Sequence, residues 1–309
     1  MDCALFDIDG VLVDIRKSYN SAIKKTVEYM LKSITGRTFR NLVTDQIILK
    51  FRQSGGFNND TDTTYAITLA MLASPPKSID EGRRFLAKIA ENADESGYVS
   101  VEKFLSSYGI ERWKSLLAYP APVQESMLAR VFDELFYGPE LFKKQNHLEP
   151  KHWAGGRPLI KNDRLAVSAK TMKKLNEMFD GNLAIVSGRS RLAAEYSLSP
   201  VMKYFNIDAC VFLEDEKREY AKPNPYAIRK AMQAMDAKSA VYAGDSAEDL
   251  LMARRAGKET GAKIAFVGIY GYSPQPAKTR AKFKREGVEA MAKSVNQLPS
   301  MIDVLSTNS

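Results

Sequence analysis

Cys3-Ala4-Leu5-Phe6-Asp7-Ile8-Asp9-Gly10 is the stretch on which the fold turns. Four apolar residues in unbroken succession, instead of an alternation with polar ones, read as a short strand covered on both faces. The run stops at Asp7-Ile8-Asp9-Gly10, which puts acids at the carboxyl end of a buried strand. Similar runs recur at Leu183-Ala184-Ile185-Val186, Cys210-Val211-Phe212-Leu213, Ala240-Val241-Tyr242-Ala243 and Ile264-Ala265-Phe266-Val267. Helical patterns lie between them. Ala169, Met172, Leu175, Met178 and Phe179 recur at three- and four-residue steps before a Gly181 stop, and Pro225 opens 227–235. Strands alternating with helices predict an α/β fold, a doubly wound Rossmann-like parallel sheet.

Between about Ser18 and Ala154 the pattern changes to helical segments without paired buried strands. Ser78-Ile79-Asp80-Glu81 is a capping box, and Met127, Leu128, Val131, Phe132, Leu135 and Phe136 form an apolar face that stops at Gly138-Pro139. This predicts an α/β core of residues 1–17 and 155–309 carrying an inserted helical cap, 18–154, each part large enough to be a domain. Gly155-Gly156-Arg157-Pro158 marks the second linker.

The chain has 309 residues, 45% of them apolar, which is ample for a sizeable core. No run approaches the ~20 apolar residues that span a bilayer, and the start lacks the pattern of a secretory signal, so a cytoplasmic protein without a membrane partner is expected. Cys3 and Cys210 lie in apolar runs and read as buried thiols, which excludes a disulfide scaffold. The 45 Lys+Arg against 37 Asp+Glu leave +8, which suits an anionic partner. The basic run Lys278, Arg280, Lys282, Lys284, Arg285 has no interleaved tyrosine and reads as a solvated face, so no nucleic-acid partner is expected. A homo-oligomer is compatible with the sequence.

Four places carry chemistry. At the first strand exit, Asp7 and Asp9 are two residues apart and would point to one side of an extended strand, toward the crevice where open α/β sheets bind ligands. One could act as a nucleophile and the other as an acid and base; the plain alternative is a solvated turn. Ser187-Gly188 ends the strand at 183–186, where a hydroxyl and backbone N–H groups at a helix N-terminus can cradle an anion, or where Ser187 is simply an N-cap. Lys222, stiffened by Pro223 and Pro225, could hold a phosphoryl oxygen and pair with the nucleophilic carboxylate. Asp245 and Asp249, at i and i+4, can face the same crevice as Asp7 and Asp9. Such a set of oxygen ligands suits Mg²⁺, and the alternative for Asp245 is a helix cap. The two histidines, His147 and His152, lie on no strand exit, which leaves a Ser-His-Asp hydrolase or a histidine zinc site poorly supported.

Taken in order, a D-x-D, a hydroxyl-Gly exit, a lysine and G-D-x-x-x-D resemble the motif set of the haloacid dehalogenase superfamily. The resemblance covers the α/β part. An insert between the first and second motifs, together with Ser294-Val295-Asn296-Gln297-Leu298-Pro299, is similar to the group's first-cap-type (subfamily I) members. The stretch from Asp9 to Ser187 is longer than that group's usual cap spacing.

The resemblance implies that Asp7 attacks phosphorus to form an aspartyl-phosphate and that Asp9 protonates the leaving oxygen and then activates water. It implies that Ser187 and Gly188 bind the phosphoryl group, that Lys222 neutralises its charge, and that Asp7, the Asp9 carbonyl and Asp245 hold Mg²⁺ with Asp249 behind them. The expected activity is a Mg²⁺-dependent phosphomonoester hydrolase acting on a small phosphorylated metabolite. The alternatives are a phosphomutase on the same scaffold, a carbon–halogen hydrolase, which would not need the acids Asp245 and Asp249, and a non-catalytic binding protein. Within the insert, Ser54-Gly55-Gly56-Phe57-Asn58-Asn59-Asp60 could close over the crevice and read the leaving group through Asn58 and Asn59, or be an inter-helix turn. Arg157 reads as a hinge residue more readily than as an anion contact.

Overall fold

The computed structural model describes residues 1–57, 59–153 and 155–302. The chain divides into two compact units, 1–16 with 163–309 and 17–162.

In the first unit β1 (Cys3–Phe6), β4 (Leu183–Ser187), β5 (Val211–Phe212), β6 (Ser239–Gly244), β7 (Lys263–Ile269) and β8 (Ala290–Ala292) form one sheet in the order β5-β4-β1-β6-β7-β8, all pairs parallel. The expected doubly wound sheet is present. The unbroken apolar runs follow from two-sided cover: Ala4 and Phe6 point into one core with Ile185, Val241 and Val267, while Cys3 and Leu5 point into the other with Val186, Ala240 and Tyr242. Residues of α8 (Ala169–Met178) and α9 (Arg191–Leu198) fill the first core, and those of α10 (Tyr226–Ala234) and α11 (Ala247–Thr260) fill the second. On α12 (Pro276–Arg285) only Phe283 is buried, so its cations are exposed, as the solvated-face reading expects. The chain leaves β1 on one side for β4 and β5 and returns on the other for β6, so the carboxyl end of β1 lies at the reversal of strand order, where such sheets bind ligands.

A second, two-stranded antiparallel pair joins β2 (Val13–Asp14) to β3 (Arg164–Leu165), with Val13 opposite Leu165. The outgoing and returning chain therefore run side by side.

In the second unit α1 (Tyr19–Thr35), α2 (Asp45–Gln53), α3 (Asp60–Ala73), α4 (Ile79–Asn92), α5 (Tyr98–Phe104), α6 (Glu111–Leu117) and α7 (Met127–Asn146) make a helical bundle. At its centre is α3, buried from Asp62 to Leu72 on every face, as a helix enclosed by others must be. Side-chain caps by Thr44, Asn59, Ser78 and Ser126 start α2, α3, α4 and α7. The stop read at Gly138-Pro139 is a kink: Gly138 takes φ 71° and helix resumes to Asn146. A side chain at Gly138 would put its Cβ 2.4 Å from Pro158 Cγ, and buried Leu159 and Ile160 follow that proline. This packing draws 155–162 into the helical unit, so the second boundary falls at 162/163, beyond the glycine pair from which the sequence places it. Among the described residues no helix is long and apolar enough to cross a membrane.

Candidate active site

The carboxyl end of β1 is fastened before the chemistry begins. Asp7 donates its N–H to the Ala243 carbonyl (3.0 Å), and the Ile8 carbonyl accepts from the N–H groups of Val11, Leu12 and Val13, which winds the chain into a tight turn. Gly10 in that turn has φ 74°, and a Cβ on it would lie 2.0 Å from Asp245 Oδ2. Only glycine lets the Asp245 carboxylate rest on this backbone. Asp7 is buried, whereas the Asp9 side chain keeps 30% exposure.

Lys222 reaches the same place from the loop before α10. Its Nζ lies 2.9 Å from Asp7 Oδ1 and 2.7 Å from Asp249 Oδ1. Asp249, wholly buried, is saturated. Oδ1 also accepts the Tyr242 hydroxyl (2.6 Å), while Oδ2 takes the N–H groups of Asp245 and Ser246 (both 3.1 Å) and the Ser246 hydroxyl (2.7 Å). With the return bond from Asp249 N–H to Ser246 Oγ this is a capping box at the start of α11. Asp249 thus anchors Lys222 and the turn that carries Asp245. One carboxylate oxygen each of Asp7, Asp245 and Asp249 fall within 4.8 Å of one another.

Ser187, at the end of β4, is fully buried, and its Oγ accepts the Arg189 N–H at 3.4 Å. The helix N-terminus that the sequence offers as an anion cradle is already filled. Ser190 and Arg191 give their N–H groups to Glu214 Oε2 (2.9 Å) and Asp215 Oδ2 (2.7 Å), acids of the loop after β5. What remains for an anion is the turn itself, where Gly188 is exposed and has open space where a side chain would stand.

Burial raises the Asp7 carboxyl above its usual range, and Asp249 adds to this while Lys222 opposes it. Burial also drives Asp245 well above that range, helped by Asp249 and Asp7. Lys222 behaves oppositely: burial works against its charge, but Asp249 and Asp7 outweigh it and hold the ammonium above its ordinary value. For Asp249 the pull of Lys222, Tyr242 and Ser246 overcomes burial and keeps it ionised. Enclosure brings Asp9 up to about 7 against the opposing pull of Arg189, with Asp7 and Asp163 also raising it. The acids fit a divalent cation. Asp7 and Asp245 carry unfavourable charge in a confined space, and oxygen donors are what Mg²⁺ takes.

The residues read as catalytic thus converge on one edge of the sheet: Asp7, Lys222, Asp245 and Asp249 touch directly, and Asp9 and Ser187 are joined to each other through Arg189. Arg189 was not assigned a role from the sequence. It is fully buried and bonds to Asp9 Oδ1 through Nε (2.5 Å). Asn59 serves as the N-cap of α3, its Oδ1 accepting from Thr61 and Asp62 N–H, while Asn58 lies outside the described residues. Arg157 donates to the Lys161 carbonyl at 2.7 Å.

A scan against protein families matches the haloacid dehalogenase-like hydrolases over residues 1–257. The chain belongs to that family. No curated protein matches it. Among solved structures it resembles a structural-genomics target determined by X-ray crystallography, with TM-score 0.68 and 15% identity over 99% of both chains. It is also similar to a hydrolase from Pseudomonas syringae, at TM-score 0.51 and 14% identity over 98% of both. A third likeness is to a HAD hydrolase of family IA, variant 3, from Entamoeba histolytica HM-1:IMSS, at TM-score 0.51 and 13% identity over 96% of this chain and 95% of that one. At such identities the likeness is one of fold.

Proposed function

We propose that this chain is a Mg²⁺-dependent phosphomonoester hydrolase of small phosphorylated metabolites, working in the cytoplasm through an aspartyl-phosphate on Asp7. The observation that carries the reading is the Lys222 ammonium shared by Asp7 and Asp249, beside a second carboxyl, Asp9, with a pKa brought near neutrality. A nucleophilic carboxylate paired with a buried cation, with an acid two residues away, is what displacement at phosphorus requires.

In this reading an Asp7 oxygen attacks phosphorus, and the bond to the ester oxygen breaks as Asp9 gives that oxygen its proton. Asp9 then accepts a proton from water, whose oxygen attacks the aspartyl-phosphate, releasing inorganic phosphate and restoring Asp7. Ser187 Oγ and the Gly188 turn hold phosphoryl oxygens, and Lys222 offsets their charge. Asp7, Asp245 and the Asp9 carbonyl would hold Mg²⁺, which when bound neutralises charge on these acids and on the phosphoryl group. Asp249 keeps Lys222 and the Asp245 turn in place.

The test is a panel of phosphorylated metabolites assayed for free phosphate with Mg²⁺ and with EDTA. Release that depends on Mg²⁺ supports the reading. Isomerised sugar phosphate with little free phosphate, seen by phosphorus NMR, would replace it with a mutase.

A further inference from the structure

Resting on the hydrolase reading, we propose that Arg189 is a positioning residue for proton transfer: braced by Asp163 and Ser197, its guanidinium fixes the Asp9 carboxylate in the orientation from which it protonates the leaving oxygen.

Arg189 has 1% exposure, and a guanidinium taken out of water costs several kcal/mol unless it is paired with charges and hydrogen-bonded. Its contacts lie on two edges of the planar group. Nε donates to Asp9 Oδ1 at 2.5 Å, and Nη1 donates to Asp163 Oδ2 at 2.7 Å and Ser197 Oγ at 2.9 Å. Ser197 in turn donates to Asp163 Oδ2 at 2.7 Å, which closes a triangle around Nη1. Asp163 is therefore held by two donors and is not free to follow Arg189 if the latter shifts. The plane of the guanidinium is set at the Nη1 edge, and Asp9 meets the other edge. Planarity transmits the brace to the carboxylate, which a lysine's point charge would not do.

Burial for stability alone would not call for this arrangement, because replacing a buried ion pair with apolar groups of similar volume is often neutral or better. Asp163 would also suffice as a counter-charge. The contact to Asp9 is directed at the carboxyl that must meet the ester oxygen. That carboxyl stands on a turn, keeps partial exposure, and would otherwise rotate about its own side-chain bonds. The Ser187-Gly188-Arg189 segment thus serves both ends of the reacting bond: Ser187 on the phosphoryl side and Arg189, through Asp9, on the leaving-group side.

A residue that positions the general acid is exposed by leaving-group dependence. Aryl phosphates of decreasing phenol acidity, from dinitrophenyl phosphate down to an alkyl phosphate, are compared by kcat/KM with Mg²⁺ for the wild-type chain, Arg189→Lys, Asp163→Asn, Ser197→Ala and Asp9→Asn. A misplaced acid hardly matters when the leaving group departs unprotonated and matters most for the alkyl ester. Arg189→Lys is expected to lose about 10²-fold on the alkyl phosphate and less than about 5-fold on the dinitrophenyl ester. Asp163→Asn and Ser197→Ala should tilt the series the same way by smaller factors, and Arg189→Lys should add nothing on the Asp9→Asn background.

A loss equal across the series, or one that adds in full on Asp9→Asn, overturns the assignment. If Arg189→Lys does not fold, the brace variants decide by the same criterion. A wild-type chain that releases phosphate from no member of the series overturns the hydrolase reading itself, an outcome distinct from a flat series.

Discussion

Each unit of the chain buries an arginine against a carboxylate. In the helical unit Arg130 Nε meets Glu134 Oε1 at 3.0 Å, and Glu134, with no exposure at all, spends its other capacity on the N–H groups of Lys151 and His152. In the α/β unit Arg189 meets Asp9 at 2.5 Å, yet the Asp9 side chain remains 30% exposed. The ingredients are the same, but one carboxylate is closed off by internal donors and the other stays partly exposed. A carboxylate surrounded by its own chain holds structure, here the segment after α7. One that is gripped at a single oxygen is oriented and still available for chemistry.

The largest effect expected on the open side follows removal of the proposed nucleophile. Asp7→Asn should lower phosphate release by at least about 10⁴-fold while circular dichroism and thermal unfolding show a folded chain. Near-normal turnover would place the nucleophile elsewhere. On the closed side the damage should appear in stability. Glu134→Gln strands the Arg130 charge and should cost about 3–5 kcal/mol, read as a lower Tm, with kcat per folded molecule preserved. If kcat fell and Tm did not, the contrast between the two carboxylates would collapse.

A third effect is pH-dependent. In the proposed mechanism Asp9 acts as an acid only while protonated, and its pKa is brought up to about 7. For alkyl phosphates kcat/KM should fall about tenfold per pH unit above that value, and Asp9→Asn should abolish this limb. The smallest effect sharpens the metal assignment. Asp245 is raised well above the ordinary 3.8, so in the folded chain its ionised form is disfavoured and stability is lost as pH climbs past that ordinary value. At neutral pH in EDTA, Asp245→Asn should therefore raise Tm by a few degrees. The same substitution should remove the Mg²⁺-induced stabilisation, which for the wild-type chain is about 2.7 kcal/mol at a hundredfold excess over Kd.

Strand exits were legible because burial on both faces of a parallel sheet leaves an unbroken apolar run, and the acids that follow it stand out against that run. β8 was missed: Ala290-Met291-Ala292 is too short and too weakly apolar to separate from loop, and its strand character comes from pairing with β7. The expected strand at Cys210–Leu213 shrinks to Val211–Phe212, because Leu213 begins a 3₁₀ turn that carries Glu214 and Asp215 to the start of α9.

The site was legible in its types and less so in its division of labour. Asp249 reads as a metal-facing acid at i+4, but only three-dimensional packing shows that five donors surround it. Arg189, directly after Ser-Gly, carries no local sequence signal for a role. Its partners lie 180 and 26 positions away, at Asp9 and Asp163, and no local pattern announces such a pairing.

The antiparallel pair of β2 and β3 makes the helical unit a detachable module in topological terms. Val13 faces Leu165 across a ladder. The two ends of the interruption are thus already neighbours in the α/β unit, and a hairpin turn of a few residues is enough to reconnect them. Closing so short a loop carries little entropic penalty, and exchanging one long insert for another adds only about 0.6 kcal/mol per doubling of length. An α/β unit built this way can accept a different insert, or none, without its own strands having to be rethreaded.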